Sequence, residues 1–317
     1  MTRTAKICGG FVAVLLLCSL LPFAAQPRMA RSLLRRLHRF HSNHPGRVAE
    51  NPQMAALPQL FFWAWERPED LQFLASTNAG VAFLAKTISV PAPGEDHRGN
   101  AGGSLIIHPR LQPLRVASVT PLIAVVRIET SAGRQLAAYA KAGPESSSPP
   151  VFSPLQQRQL VDEIVVLQKL QNVRAIQIDF DATVSERAFY AVLLEDVRRE
   201  LPASLPVSIT ALASWCIGDP WLEQLPYGTI AEAVPMLFRM GPDAGNVAKF
   251  LRSGDKFRVS ACQGSFGLST DEPLPNGMLK GTLPDAPSGW RDKRIYIFAP
   301  RAWTQPAAEA VLKEWQP

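Results

Sequence analysis

Past residue 57, short apolar runs alternate with stretches whose apolar residues recur every three or four positions. The runs are Leu60–Trp65, Val81–Ala85, Leu122–Ile128, Arg174–Asp181, Pro206–Ala213, Ala233–Met240, Lys256–Cys262 and Arg294–Ala299. Most are rich in β-branched or aromatic residues, and each predicts a strand. Helices are predicted from Pro68, with Glu69 and Asp70 in the first turn, to a stop before Asn78-Ala-Gly80. Others are predicted over Pro154–Leu170, Ser185–Leu201, Asp219–Leu225, Asp243–Arg252 and Gln305–Trp315. Ile88–Val90 and Leu105–Ile107 flank a Pro- and Gly-rich stretch with no helical period, which predicts an inserted hairpin after strand 2. Eight strands mostly separated by helices predict an α/β chain with a (β/α)8 TIM-type barrel over residues 58–317. An open doubly wound sheet fits less well, because no glycine-rich fingerprint follows the first strand.

Composition narrows the partners. The chain has 33 Lys+Arg against 27 Asp+Glu, yet eight of the basic residues and none of the acidic ones fall in residues 1–47. The remainder holds 25 basic against 27 acidic residues. The basic excess belongs to the N-terminus, so nucleic acid is not an expected partner of the barrel. Arg3 and Lys6 precede an apolar run, Ile7–Ala25, and residues 1–27 are expected to be a signal peptide or membrane anchor. The barrel is accordingly expected to be exported, either periplasmic or anchored facing the periplasm. Leu33, Leu34, Leu37 and Phe40 fall at helical spacing among arginines, making residues 28–57 a basic amphipathic linker. Membrane contact through residues 7–40 is one reading of this segment, and a plain linker helix is the other. Cys216 and Cys262 are the only cysteines of the barrel, compatible with a disulfide or with two free thiols.

In strand four, Gln177, Asp179 and Asp181 share one face, while Ile176, Ile178 and Phe180 share the other. The apolar face must pack on helices, so both aspartates are expected to point into the barrel or its mouth. Their charges repel, and Arg239 at the end of strand six is the expected counter-cation. A buried Asp–Arg network that only holds the core is the alternative. Glu66 after strand one, and Asp271 and Glu272 in the loop after strand seven, supply further carboxylates at strand ends. The candidate catalytic residues are thus Asp179, Asp181, Glu66 and Glu272. Trp65 and Trp215 near strand ends offer faces for sugar rings, with Arg239, Gln263 and Asp271 as further substrate-binding candidates, whereas Trp63 is expected in the core. Glu186 reads as a first-turn charge with Ser185 as helix cap. His97 and His108 both fall in the inserted hairpin, and His38, His41 and His44 have no Cys or carboxylate beside them. No metal site and no cofactor are expected.

Several stretches resemble a bacterial family called domain of unknown function 3142: Phe62-Trp-Ala-Trp-Glu66, Ile178-Asp-Phe-Asp-Ala-Thr183, Ile209–Cys216, Glu232–Gly241 and Ser269-Thr-Asp-Glu-Pro273. The resemblance runs from about residue 58 to the C-terminus and brings no established activity. More distantly, the barrel resembles secreted glycoside hydrolases, chitinases in particular. Their fourth strand ends in Asp-x-Asp-x-Glu, with the Glu as general acid. Asp179 and Asp181 match that pattern, and Thr183 stands in place of the Glu. In Met236-Leu-Phe-Arg239, Phe and Arg replace the Tyr and Asp of a second chitinase stretch. The resemblance therefore implies a glycoside-hydrolase-like barrel that acts on or binds a polysaccharide or oligosaccharide, without transferring chitinase catalysis. A catalytically inactive sugar-binding barrel and a structural or partner-binding cell-envelope protein are the alternatives.

Overall fold

A computed structural model describes residues 51–91, 104–130, 152–272 and 292–314. The expected signal or anchor segment, and the linker up to residue 50, lie outside the described residues. Among those described, no helix is long and apolar enough to cross a membrane.

Eight strands run parallel and close on themselves. They are β1 (Leu60–Ala64), β2 (Ala79–Val90), β3 (Leu122–Thr130), β4 (Val173–Asp179), β5 (Val207–Leu212), β6 (Glu232–Met236), β7 (Ser265–Ser269) and β8 (Arg294–Phe298). Each pairs with the next, and β1 also pairs with β8, so the barrel has no open edge. Around it lie α1 (Pro154–Val165), α2 (Arg187–Glu200), α3 (Ala213–Ile217), α4 (Ala244–Ser253) and α5 (Gln305–Glu314). Ser153 starts α1: its hydroxyl accepts from the Gln156 N–H at 3.1 Å, and the Gln156 side chain accepts from the Ser153 N–H at 2.9 Å.

Side-chain alternation divides each strand between two environments. Ile176 and Ile178 of β4 join the outer core with Leu160 and Ile164 of α1 and Leu193 and Val197 of α2. Ala175 joins Phe61, Trp63, Ile123, Val125, Val234 and Tyr296 inside the barrel. Gln177 and Asp179 share the parity of Ala175, so β4 turns its polar residues inward, as its sequence predicts. The barrel floor is closed by Met54, on the short helix Pro52–Ala55, which packs on the inner cluster.

The interior leaves little room. Gly80 of β2 lies in register with Phe61 of β1, and a Cβ at Gly80 would sit 2.2 Å from the Phe61 ring. That ring is fully buried and stacks on Tyr296 at 5.4 Å, so it has nowhere to retreat. Gly80→Ala is expected to destabilise the barrel by about 1–3 kcal/mol, read as a lower melting temperature. An unchanged melting temperature would contradict this packing.

Four sequence expectations change. Lys256–Cys262 is a loop ending in a 3-10 turn at Ser260–Cys262, and the seventh strand is Ser265–Ser269. Phe257, Val259 and Ala261 alternate like a strand and are buried, but the N–H groups of Arg258 and Val259 donate to the Cys216 carbonyl instead of to a ladder. The true strand carries small residues because its inward side is occupied: a Cβ at Gly267 would meet Met236 Sδ at 2.6 Å. Pro68–Thr77 forms no α-helix. Glu69–Asp70 pairs with Leu114–Arg115, Gln72–Ser76 is a 3-10 turn, and Ala79 and Gly80 already belong to β2. β2 is longer than expected, and its far half pairs antiparallel with Ile106–Pro109. The residues between, 92–103, lie outside the described set. α3 follows β5 directly where the sequence suggests only strand and loop.

Cys216 of α3 and Cys262 form a disulfide across 46 residues of chain. By loop-closure entropy such a link stabilises the fold by about 4 kcal/mol.

Candidate active site

The C-terminal ends of β3, β4 and β5 surround a cavity of about 930 Å³. Arg127 and Glu129 line it from β3, Asp179 from β4, Asp181 to Ser185 from the following loop, and Leu212, Ser214 and Trp215 from β5 and α3. Arg127 and Asp179 are register partners on neighbouring strands, and two residues farther on come Glu129 and Asp181. Inward parity thus carries two pairs of charged residues from the barrel into the cavity.

Asp179 is buried and fully engaged. Arg127 Nη1 donates to its Oδ2 at 3.0 Å, and Thr210 Oγ1 of β5 donates to Oδ1 at 2.8 Å. Arg127 Nε donates to Glu129 at 3.0 Å, and its guanidinium lies 5.4 Å over the Trp65 ring. Burial works against the Arg127 cation, but Asp179, Glu129 and Asp181 more than offset this and hold its pKa above the ordinary value. The counter-cation of the strand-four aspartates is therefore Arg127, not Arg239. Arg127 and Glu129 were not among the expected site residues, although Val-Val-Arg-Ile-Glu at a strand's C-terminal end carries the signal: two charges spaced by two after an apolar run.

Asp181 is different. It is exposed to the cavity and, among the described residues, makes no salt bridge. Loss of hydration in the concave wall, followed by the nearby Asp179 charge, lifts its carboxyl to about 6 against the pull of Arg127. At mildly acidic pH, Asp181 is a carboxylic acid beside the Arg127-bound side chains of Asp179 and Glu129. Below it, Tyr190 of α2 is buried against Phe180 at 5.0 Å between ring centres. Burial and the two aspartates push its hydroxyl well above the usual range, so it stays protonated.

Thr183 has a local task. Its N–H and its hydroxyl both donate to Glu186 Oε2 at 2.8 Å, ahead of α2. Glu186 is thus a buried acceptor at the helix start, and Thr183, not Ser185, is its partner there.

The other expected residues scatter around the barrel. Trp65 stands half-buried at the end of β1, edge-on to Trp63 at 6.3 Å and to Phe298 at 6.1 Å. Glu66 is exposed beside it, outside the cavity lining. Arg239, beyond β6, pairs with the loop after β7: its side chain lies 3.1 Å from Asp271 and 3.7 Å from Glu272, and its N–H donates to Glu272 at 2.8 Å. This forms a second charged cluster, apart from Asp179. Trp215 lines the cavity but is only 2% exposed and packs edge-on to Trp221 at 5.1 Å, so it is a wall, not an open stacking face. Gln263 precedes β7 and therefore lies at the N-terminal end of the barrel, opposite Asp181; its amide donates to the Phe257 carbonyl at 2.8 Å. Its expected place after the strand followed from the misplaced seventh strand. His108 lies on the strand Ile106–Pro109. Among the described residues, no group of three or more His, Cys, Asp or Glu is arranged to hold a metal ion.

Comparison with family models, with curated proteins and with solved structures finds no match to this chain.

Proposed function

We propose that this is an exported glycoside-hydrolase-like barrel of the TIM type that acts on a polysaccharide at the cavity over β3–β5. In this reading Asp181 is the general acid and Glu129 the second carboxylate. The observation that carries the reading is one unpaired, protonatable carboxyl beside an Arg-held carboxylate, both lining a cavity at the C-terminal rim. Asp181 gives its proton to the glycosidic oxygen as the C–O bond breaks, and the leaving sugar departs as an alcohol. Glu129, which accepts from Arg127, acts on the opposite side of the ring, as base towards water or as nucleophile. Asp179 is a positioning residue that fixes Arg127 and adds negative charge near a developing oxocarbenium ion.

The disulfide supports an oxidising compartment, and so an exported barrel with residues 1–27 as its signal or anchor. Membrane contact through residues 7–40 belongs to the same proposal. The antiparallel pairing of β2 with Ile106–Pro109 supports an inserted hairpin.

Release of reducing ends from a panel of polysaccharides tests the reading. Because Asp181 must hold its proton, kcat/KM is expected to fall about tenfold per pH unit above roughly pH 6. Turnover that keeps rising above pH 7 would remove Asp181 from the acid role. A second reading, a sugar-binding barrel without catalysis, is favoured by Thr183, which occupies the acid's place in the chitinase-like pattern and is committed to Glu186. Binding of a polysaccharide without cleavage at any pH would select it.

A further inference from the structure

The rim of the cavity changes character from one strand to the next. β4 and β5 run in register at Ile178 and Ile209, which sets Thr210 beside Asp179 at 2.8 Å. Two residues farther along each chain stand Asp181 and Leu212, and Leu212 is in turn the register partner of half-buried Met236. Going round the mouth, the inward places therefore read Glu129, Asp181, Leu212: charge on β3 and after β4, aliphatic carbon on β5. Val184, on the loop after β4, lines the same cavity. Leu212 is 38% exposed and Val184 75%. Aliphatic side chains scattered singly over a surface need no explanation, but these two line one concavity together with the proposed acid. The aromatic side chains of that lining, Phe180 and Trp215, are each 2% exposed and offer no open ring face. Its polar side chains on this side are engaged, Thr183 with Glu186 and with Ser185 at 3.0 Å, and Arg187 with Asp219. Among the described residues of this wall, Ser214 remains to meet an incoming hydroxyl.

A sugar in the leaving position carries several hydroxyls, and each one pressed against Leu212 and Val184 loses water without gaining a partner. An alkyl group in the same place buries its own surface and that of both side chains. With the reacting ring between Glu129 and Asp181, the bond to the oxygen that Asp181 protonates points away from Glu129, towards β5. We infer, resting on the glycan reading and the acid role of Asp181 above, that the leaving group is apolar and not a sugar. The bond cut is the one that joins a glycan to an alkyl aglycone, and Leu212 and Val184 hold that aglycone. As the C–O bond breaks, its electron pair stays on the oxygen, which takes the Asp181 proton, and the aglycone leaves as a neutral alcohol. Water supplies the new hydroxyl at the anomeric carbon and gives up its other proton to the carboxylates. A cavity of about 930 Å³ has room for one ring and such a chain.

The test gives the full chain paired methyl and octyl glycosides of glucose, galactose, mannose and N-acetylglucosamine, in both anomers and below the micelle concentration. Methanol and octanol are leaving groups of similar basicity, so each pair differs in apolar contact. For the sugar turned over, the octyl glycoside is expected to show kcat/KM at least about tenfold above the methyl glycoside and above the corresponding disaccharide. The octyl-to-methyl ratio is expected to hold in about 0.5 M NaCl, because apolar contact is not screened. The double variant Val184→Ser/Leu212→Asn is expected to narrow that ratio at least threefold. Leu212 is the N-cap of α3 and makes no side-chain cap hydrogen bond, so asparagine suits its backbone place. An unchanged melting curve checks the variant, and if it melts early the parent's two ratios decide alone. Equal turnover within the pair, preference for the disaccharide, cleavage of polysaccharides only, or an octyl preference that survives in the folded variant overturns the inference and leaves the glycan reading standing. If no glycoside and no polysaccharide is bound or cleaved, the glycan reading fails and the inference falls with it.

Discussion

Asp181→Asn is expected to cut polysaccharide turnover by about 10²–10⁴-fold, with no loss of thermal stability. The substitution keeps the side chain's size and removes the proton that the acid role requires. Stability is spared because, among the described residues, Asp181 makes no ion pair, and its charge sits beside Asp179. The sign follows from linkage: the folded carboxyl titrates at about 6, above its ordinary 3.8, so the protein favours the protonated form. The contribution of this group is fully present at low pH and is lost as pH rises through about 6. Asparagine never ionises, so the variant's melting temperature is expected to gain on the parent's between about pH 4 and pH 6 and to stay level or higher above it. Asp179→Asn serves as the contrast. It weakens the Arg127 pair and the Thr210 hydrogen bond, so activity and stability fall together. If Asp181→Asn melts well below the parent at neutral pH, or retains full turnover, Asp181 is a structural residue and the acid role is refuted.

The parts of this barrel legible in the sequence are those whose residues have one way to satisfy themselves. Ile176 and Ile178 must pack on helices, so the inward aim of Gln177 and Asp179 followed from parity alone, and the positions of β3, β4, β5 and β8 followed from β-branched runs. β7 hid because its inward residues are Ser265, Gly267 and Ser269, chosen small by the bulk of Met236, while the buried apolar alternation of Phe257 and Val259 belongs to a loop held by Cys216. Partner choice was also hidden. Arg127 and Arg239 stand at similar strand ends, and only the register of β3 with β4 brings Arg127 to Asp179. The loop after β7 delivers Asp271 and Glu272 to Arg239. Glu129 escaped notice for a related reason: strand three was read as ending at Ile128, one residue before the second charge.

At the other end of the barrel, Glu232→Gln is expected to destabilise the fold by about 3–5 kcal/mol, a loss of roughly 10 °C in melting temperature for a barrel of this size. Glu232 opens β6 inside the floor and is 4% exposed. Its Oε2 accepts from Arg294 Nη1 at 2.9 Å, and its Oε1 accepts from Ser208 at 3.0 Å and from the Tyr296 hydroxyl. Gln177 extends the chain by donating to Ser208 at 3.0 Å. Burial alone would lower the Arg294 pKa, yet Glu232 and Tyr296 raise it, so Glu232 offsets the cost of holding that cation in the core. Arg294 also donates to the carbonyls of Pro58 and Met54, which ties the closing segment of the floor to the pair. Glutamine preserves shape and some hydrogen bonds but leaves that cation uncompensated, and this uncompensated charge, not lost packing, is the source of the expected cost. Adding Arg294→Met to Glu232→Gln removes the stranded charge and is expected to recover part of the loss, so the double-variant cycle yields a coupling of well over 1 kcal/mol. Both changes lie at the strand N-termini, away from Asp181, so protein that remains folded is expected to keep the parent's pH profile. Additive losses in the cycle would mean that the two residues act separately and that the floor is held by its apolar contacts alone.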